Sequence, residues 1–214
     1  MNGLLMKTFL TILTVFFTVM FSSPSYAEWT KVSYEAKAST IIKRKPINYL
    51  ITALTKINKP KSLRIAKELK SLKNNDNNYN LIIRRANLNS LDAKIISKAI
   101  EKIKKNNGPL LDKISMSFNE DITDDGLGYI LQVLPESTSA IGFVECGLTD
   151  ISGKKIIDWA YTHKGIKEIY LEGNLFSKDI INKFVKLKKD KPEIGMIIEW
   201  PSKEFKKFVL ENYK

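Results

Sequence analysis

Apolar residues recur in pairs along the second half of the chain, with one residue between the two members of each pair. The pairs begin at Leu81, Ile114, Ile141 and Ile169, so successive pairs are 33, 27 and 28 residues apart. Because side chains alternate between the two faces of a strand, each pair predicts a short strand with one buried face. The residues predicted to point into the core are Leu81 and Ile83, Ile114 and Met116, Ile141 and Phe143, and Ile169 and Leu171. The longer first interval indicates an insertion near residues 106–109.

An amphipathic stretch with helical periodicity follows each pair. A short polar residue precedes each stretch, and its side chain could accept a hydrogen bond from the free amides of a first helical turn. The predicted helices and caps are residues 92–105 after Asn89 or Ser90, 124–134 after Thr123, 150–162 after Thr149, and 178–189 after Ser177. Outside the pairs we expect helices at residues 46–57, 61–73 and 202–212, an Asn-rich loop at 74–80, and a last strand at 194–200.

Two of these units carry the same short motif. Residues 114–126 read ISMSFNEDITDDG, and residues 141–153 read IGFVECGLTDISG. The pattern resembles the leucine-rich repeat, and it is closest to the ribonuclease-inhibitor-like and cysteine-containing classes of that repeat. The resemblance spans residues 79–200. It implies an α/β leucine-rich-repeat solenoid with short parallel strands on a concave face, helices on a convex face and a helical amino-terminal cap.

One position of the motif falls on the turn that follows each strand. Asn119, Cys146 and Asn174 occupy this position in three units, and Ala86 occupies it in the first. A buried Asn or Cys at a turn can hydrogen-bond neighbouring backbone groups that would otherwise be unpaired. We therefore interpret Asn119, Cys146 and Asn174 as a structural ladder between turns. Ala86 cannot make such bonds, so the ladder is in doubt at the first unit.

The amino-terminal end has the features of a secretory signal peptide. Lys7 precedes an apolar run of 13 residues, 9–21, and the tripeptide Ser-Tyr-Ala at residues 25–27 offers a cleavage site. A helix that spans a bilayer needs about 20 residues, so a permanent anchor is the weaker interpretation. The mature chain is expected to begin at Glu28 and to be periplasmic or secreted. The predicted divisions are a signal peptide at 1–27, a cap segment at 28–78 with strand-like stretches at 29–32 and 39–42, repeats at 79–200, and a capping helix at 201–214.

The formal net charge of +12 is unevenly distributed. Residues 28–75 carry 12 basic and 3 acidic side chains, whereas residues 114–153 carry 7 acidic side chains and no Lys or Arg. In a solenoid this distribution would separate a basic end from an acidic middle. Solvated helix surfaces are the simplest interpretation, and contact of the basic part with a membrane surface, anionic lipid or polysaccharide is an alternative. No nucleic-acid partner is expected, because the aromatic residues are not interleaved with the lysines.

Candidate catalytic and metal-binding groups are few. Cys146 is the only cysteine and His163 is the only histidine, and the motif already gives Cys146 a structural place. A lone cysteine excludes an internal disulfide and a Cys-rich metal site. Residues 120–125 partly match a calcium loop, but Gln132 stands where that loop needs a bidentate carboxylate. We therefore expect no catalytic residue, cofactor or metal, and an exported hydrolase with its site in the acidic middle repeats is the alternative.

The repeat resemblance also implies a function. Leucine-rich repeats generally bind proteins on the concave face, because a rigid parallel sheet loses little entropy on association. We therefore expect an exported, non-catalytic, monomeric protein-binding module. Strand alternation places the residues between the core pairs on the concave face. The side chains predicted to contact a protein partner there are Arg84, Ser115, Ser117, Val144, Tyr170 and Glu172.

Overall fold

The computed structural model describes residues 46–71 and 77–212. The predicted signal peptide and the strand-like stretches at residues 29–32 and 39–42 lie outside the described residues.

Helices and strands alternate after two initial helices. In chain order the elements are α1 (Ile47–Ile57), α2 (Pro60–Lys70), β1 (Asn78–Ile82), α3 (Ser90–Lys105), β2 (Leu110–Ser115), a 3-10 turn (Glu120–Ile122), α4 (Thr123–Leu131), β3 (Ala140–Gly142), α5 (Asp150–Thr162), β4 (Glu168–Tyr170), α6 (Lys178–Asp190), β5 (Gly195–Ile197) and α7 (Lys203–Asn212). The fold is therefore α/β. Of the helices in these two ranges, none combines the length and the apolar character needed to cross a membrane.

Within the described residues the strands form one five-stranded parallel sheet, and their order in the sheet is their order in the chain. The register aligns the first residues of the apolar pairs. Leu81 lies beside Ile114, Ile114 beside Ile141, and Ile141 beside Ile169, which in turn lies beside Met196. Each strand-and-helix unit therefore adds its strand next to the strand of the preceding unit. This register confirms the strand phase predicted from the apolar pairs.

The side chains predicted to point inward form the core between the sheet and the helices. All eight are at most 1% exposed. Helix α3 contributes Ala93, Ile96, Ile100 and Ile103 to the same core, at the three- and four-residue spacing of one helical face. Full burial of such a branched side chain contributes about 1.5–3 kcal/mol relative to exposure. We call the opposite side of the sheet, which carries the residues between the inward pairs, the far face.

The second unit departs from the predicted helix start. Helix α4 is preceded by Ile122, and no side chain caps its first turn. Thr123, the predicted cap, lies inside the helix boundary with a φ of 55°, in the left-handed region. The segment from Asn119 to Ile122 is one residue longer than the equivalent segment from Cys146 to Leu148. The 3-10 turn accommodates that additional residue, so the prediction of Thr123 as a cap was wrong.

The other helix starts are capped as the sequence predicts. The side chains of Asn89, Thr149 and Ser177 accept hydrogen bonds from first-turn amides of α3, α5 and α6. Of the two candidates before α3, Asn89 is the cap, and its bond comes from the Asp92 amide at 3.0 Å. Short polar side chains before an amphipathic stretch therefore located three of the four helix starts that follow an apolar pair.

Several further boundaries differ from the predictions. Strand β1 begins at Asn78, inside the predicted loop, because Tyr79 is buried between two exposed asparagines and the stretch alternates as a strand. Helix α2 ends at Lys70, and strand β5 covers only Gly195–Ile197. The longer first interval is taken up partly by α3, which has 16 residues, against 13 in α5.

Candidate functional site

The far face and the carboxyl-terminal segment enclose a cleft of about 250 Å³. Five of the six residues predicted to contact a partner border it, and they come from four neighbouring strands or the turns after them. The other side of the cleft is lined by residues 197–209, which run from the end of β5 into α7. The residues that line the cleft are Arg84, Ser117, Phe118, Gly142, Val144, Tyr170, Glu172, Ile197, Trp200, Phe205, Phe208 and Val209.

Helix α7 lies against this face through a few side-chain contacts. Lys206 Nζ lies 2.9 Å from Glu145 Oε1, and the ring centroids of Trp200 and Phe205 are 6.4 Å apart. No residue of α7 is buried, and Phe205 and Phe208 remain 41% and 53% exposed. The helix therefore forms one wall of the cleft and also presents aromatic surface to solvent.

Several residues expected to be open to a partner are buried in the structure. Ser115, Ser117, Val144 and Glu172 are 3%, 2%, 8% and 5% exposed. The sequence indicated their face correctly, but it did not indicate that these side chains are buried there. Of the six predicted contact residues, only Arg84 and Tyr170 keep substantial exposure.

Ser117, which borders the cleft, and its neighbour Ser115 hold one another and the adjacent residues in place. Ser115 Oγ accepts a hydrogen bond from Arg84 Nε at 2.9 Å and lies 3.1 Å from Ser117 Oγ. The hydroxyl of Ser117 also accepts a bond from the Val144 amide at 3.1 Å. A Cβ at Gly142 would lie 3.0 Å from Ser115 Oγ, so the smallest residue fits best between them. The base of the cleft is therefore small, polar and internally satisfied.

Glu172 differs from these residues, because one of its polar atoms has no hydrogen bond among the described residues. Its Oε2 atom is buried without a hydrogen-bond partner among the described residues. Burial raises the pKa of the Glu172 carboxyl above its ordinary value, while the backbone amides of Glu172 and Leu171 and the charge of Arg84 oppose that rise. The indole nitrogen of Trp200, which also borders the cleft, is likewise buried without a partner in the described part of the chain. The cleft thus contains one unused acceptor and one unused donor.

The turn positions Asn119 and Asn174 make equivalent sets of hydrogen bonds to the preceding unit. Asn119 Oδ1 accepts bonds from the amides of Ala86 and Leu88, and its Nδ2 donates to the carbonyls of Ile83 and Met116. Asn174 makes the same arrangement two units later. Its Oδ1 accepts bonds from the amides of Cys146 and Leu148, and its Nδ2 donates to the carbonyls of Phe143 and Leu171. Each asparagine therefore pairs backbone groups of two adjacent turns.

Cys146 and Ala86 fit into this arrangement without an amide side chain. The Cys146 thiol lies 3.3 Å from the Met116 carbonyl and is fully buried, and burial raises the pKa of the thiol to about 12. The Ala86 amide donates to Asn119 Oδ1 in the next turn, and β1 has no strand on its other side within the described chain. The first unit therefore has no preceding strand turn to bond, so alanine leaves none unpaired.

The remaining chemical candidates have structural contacts of their own. His163 is buried, its ring stacks on Trp159 at a centroid distance of 4.3 Å, and its Nε2 lies 3.1 Å from the Thr138 carbonyl. The thiol of Cys146 makes its contacts with backbone carbonyls rather than with this imidazole. Within residues 46–71 and 77–212, no three His, Cys, Asp or Glu side chains are grouped so that they could hold a metal ion.

Two carboxylates of the acidic middle link adjacent units. Asp124 accepts bonds from the amide and the hydroxyl of Thr149, at 2.9 and 2.5 Å. Asp150 accepts a bond from the Ser177 amide at 2.7 Å. Burial acts to raise the pKa of Asp124, but the hydroxyls and amides of Ser152 and Thr149 outweigh it and the pKa is lowered. Each of these carboxylates, in the first turn of one helix, therefore bonds to the residue that precedes the next helix.

Sequence reasoning missed the aromatic wall of the cleft. The sequence does indicate that α7 has an apolar side. Positions i, i+3 and i+4 of a helix share one face, and in α7 these positions are Phe205, Phe208 and Val209. It contains no local sign of which surface that side contacts. The ion pair between Lys206 and Glu145, which joins residues 61 positions apart, was missed for the same reason.

The sequence matches no known protein-family model, and no curated protein matches it.

Proposed function

We propose that this protein is a small leucine-rich-repeat solenoid that binds a protein partner on the far face, which is the concave face of such a solenoid. Support for the repeat comes from the sheet, whose strand order follows the chain, and from the equivalent bonds of Asn119 and Asn174. Support for binding comes from a single observation. The cleft on the far face contains a buried carboxylate oxygen without a partner, next to aromatic side chains that remain exposed.

The physical basis of the proposal is a binding surface that is ordered before the partner arrives. Hydrogen bonds between adjacent units hold the strands and turns in register, so little backbone entropy is lost on association. Arg84, Tyr170 and Trp200 border the cleft, and Arg, Tyr and Trp are the residue types most often found at the centres of protein interfaces. We propose no catalytic role, since the contacts of Cys146 and His163 are structural.

We also propose that the protein is exported to the periplasm or beyond. The support is the sequence pattern of residues 1–27 alone. Intact-mass measurement of the protein recovered outside the cytoplasm tests it, and we expect a chain that begins at Glu28. Recovery of the full-length chain from that fraction would contradict the proposal.

Site-specific photo-crosslinking in the producing cells tests the binding face. A photoreactive residue at Ile82 or Arg84, both exposed on the far face, should give a discrete adduct of higher mass. The matched control is the same photoreactive residue at Lys155, which is exposed on α5. Adducts that form from position 155 but not from positions 82 and 84 would show that a partner uses the helix side, and the proposal would fall.

A further inference from the structure

Glu172 is the feature of the cleft that contacts within the chain do not explain. Its side chain borders the cleft and is only 5% exposed, yet Oε2 has no hydrogen-bond partner among the described residues. The backbone amides of Glu172 and Leu171 and the charge of Arg84 compensate only part of the cost of removing this carboxylate from water, because burial still raises its pKa. A positively charged donor bound in the cleft would offset that cost.

The cations already near the cleft do not serve this role. Arg84 directs its Nε to Ser115, and its charge lowers the pKa of Glu172 by less than burial raises it. Lys206 pairs with Glu145, at 2.9 Å. Glu172 therefore retains an acceptor position for a group from outside the chain.

The walls of the cleft favour a cation over a neutral donor, because the faces of aromatic rings attract positive charge. The protein makes this contact with its own side chains at two places on the border. Lys206 Nζ lies 5.7 Å from the Trp200 ring, and the guanidinium of Arg85 lies 4.1 Å from the centre of the Phe118 ring. A further cation between Trp200 and Glu172 would have both an aromatic face and a counter-ion.

The volume of the cleft restricts what can occupy it. At about 250 Å³ it is smaller than the roughly 300–1,000 Å³ of pockets that enclose small-molecule ligands. One long side chain suits this space better than a complete metabolite. We propose that the cleft binds the cationic side chain of a lysine or arginine from a protein partner, with the Glu172 carboxylate as its counter-ion and Trp200 as its aromatic wall. The inference rests on the proposed protein-binding function for the source of the cation, but not for the chemistry of the site.

Titration with isolated side-chain analogues tests the site without the partner. The probes are n-butylammonium for lysine, n-propylguanidinium for arginine and 1-butanol as a neutral analogue, added at pH 8 and constant ionic strength. Binding is followed by the nuclear magnetic resonance shifts of the Trp200 indole and of the Tyr170 and Glu172 amides. For at least one cation we expect saturable shifts with a dissociation constant on the order of 10 mM, and binding about tenfold weaker or less for 1-butanol.

Two variants with the same charge change separate the site from general electrostatics. Glu172→Gln should weaken binding of the cation about tenfold or more and leave binding of 1-butanol unchanged, which would also show that the cleft is intact. Glu199→Gln removes an exposed carboxylate that does not border the cleft, and it should leave both affinities unchanged. Undiminished cation binding by Glu172→Gln, or equally tight binding of 1-butanol to the wild type, would overturn the inference.

The two proposals fail in different ways. If crosslinks form from positions 82 and 84 but neither cation shifts the cleft resonances, the protein-binding function stands and the cationic ligand is wrong. If a cation binds through Glu172 but crosslinks form only from position 155, the cation site stands and the partner does not use it.

Discussion

The side-chain oxygen of Asn119 lies 2.8 Å from the backbone nitrogen of Ala86 and 3.0 Å from that of Leu88. Residues more than thirty positions apart are thereby joined at a site that is almost fully buried, since Asn119 is 1% exposed. The amide group of the same side chain donates to two backbone carbonyls. One side chain therefore pairs four backbone groups of buried residues.

Replacing Asn119 by Ala should destabilise the protein strongly. Each buried backbone group left without a partner costs about 1–3 kcal/mol, and relaxation of the turn would recover part of that cost. We expect Asn119→Ala to lower the free energy of unfolding by about 3 kcal/mol or more, as measured by urea denaturation. The matched control is Asn80→Ala at an exposed position of β1, which should change it by about 0.5 kcal/mol or less. A loss of less than about 1 kcal/mol for Asn119→Ala would contradict the structural role of this residue.

The thiol of Cys146 should react slowly while the protein is folded. Cys146 is fully buried, and burial raises its thiol pKa to about 12, so both access and the thiolate fraction are low at pH 8. We expect iodoacetamide to label the native chain about a hundredfold more slowly than the urea-denatured chain, as followed by intact mass. Comparable labelling rates in the two states would show that the turn of the third unit opens readily.

Asp124 should make stability depend on pH. Burial opposes ionisation, but contacts with Ser152 and Thr149 outweigh it, so the folded-state pKa is lowered. A lowered pKa contributes stability above the unfolded-state value near 3.8, and that contribution is lost as the pH falls through the folded-state value. Asp124→Asn should therefore cost about 1 kcal/mol at pH 7 and progressively less below pH 4. The control Asp125→Asn, at an exposed position of the same turn, should show no such change, and a cost that stays constant down to pH 3 would contradict the assignment.

Glu172 should have the opposite effect on stability. Burial raises its folded-state pKa above the ordinary value of 4.5, so the charged form is the one that the fold disfavours. Glu172→Gln should raise the free energy of unfolding by about 1 kcal/mol at pH 8. This advantage should shrink as the pH falls through the folded-state pKa, because the wild-type carboxyl becomes neutral. Thermal denaturation across this range measures the difference, with Glu199→Gln as the control for net charge. A less stable Glu172→Gln protein at pH 8 would indicate a counter-ion within the chain.

Tyr79 carries another buried polar group without a partner among the described residues. Its side chain is 3% exposed, its hydroxyl has no hydrogen bond in the described structure, and burial raises the pKa of the phenol above its ordinary range. Tyr79→Phe should therefore keep the stability unchanged or raise it by up to about 1 kcal/mol. Tyr79→Ala, which also removes the packed ring, should cost about 3–5 kcal/mol. A loss of more than about 1 kcal/mol for Tyr79→Phe in denaturant unfolding would reveal a partner for the hydroxyl.

The sequence by itself determined the phase of the strands and the inward side chains. Alternation has a period of two residues, so the position of Ile114 also places Met116 in the core and Ser115 on the other face. It likewise located the turn residues Asn119 and Asn174, because their position relative to the strand repeats. These features depend on residues that are only a few positions apart in the chain, so the sequence of one unit already contains the information that specifies them.

Tertiary structure alone decided what becomes of the far face. The apolar side of α7 could pack against many surfaces, and its sequence does not state which one. The contact of Lys206 with Glu145 forms only because α7 returns to the third unit of the sheet. Ser117, Val144 and Glu172 border the cleft that α7 helps to enclose and are buried, although strand alternation alone would leave them exposed. A periodic pattern indicates which side of an element is apolar. Burial of a charged residue depends on elements far away in the chain, and local periodicity contains no information about them.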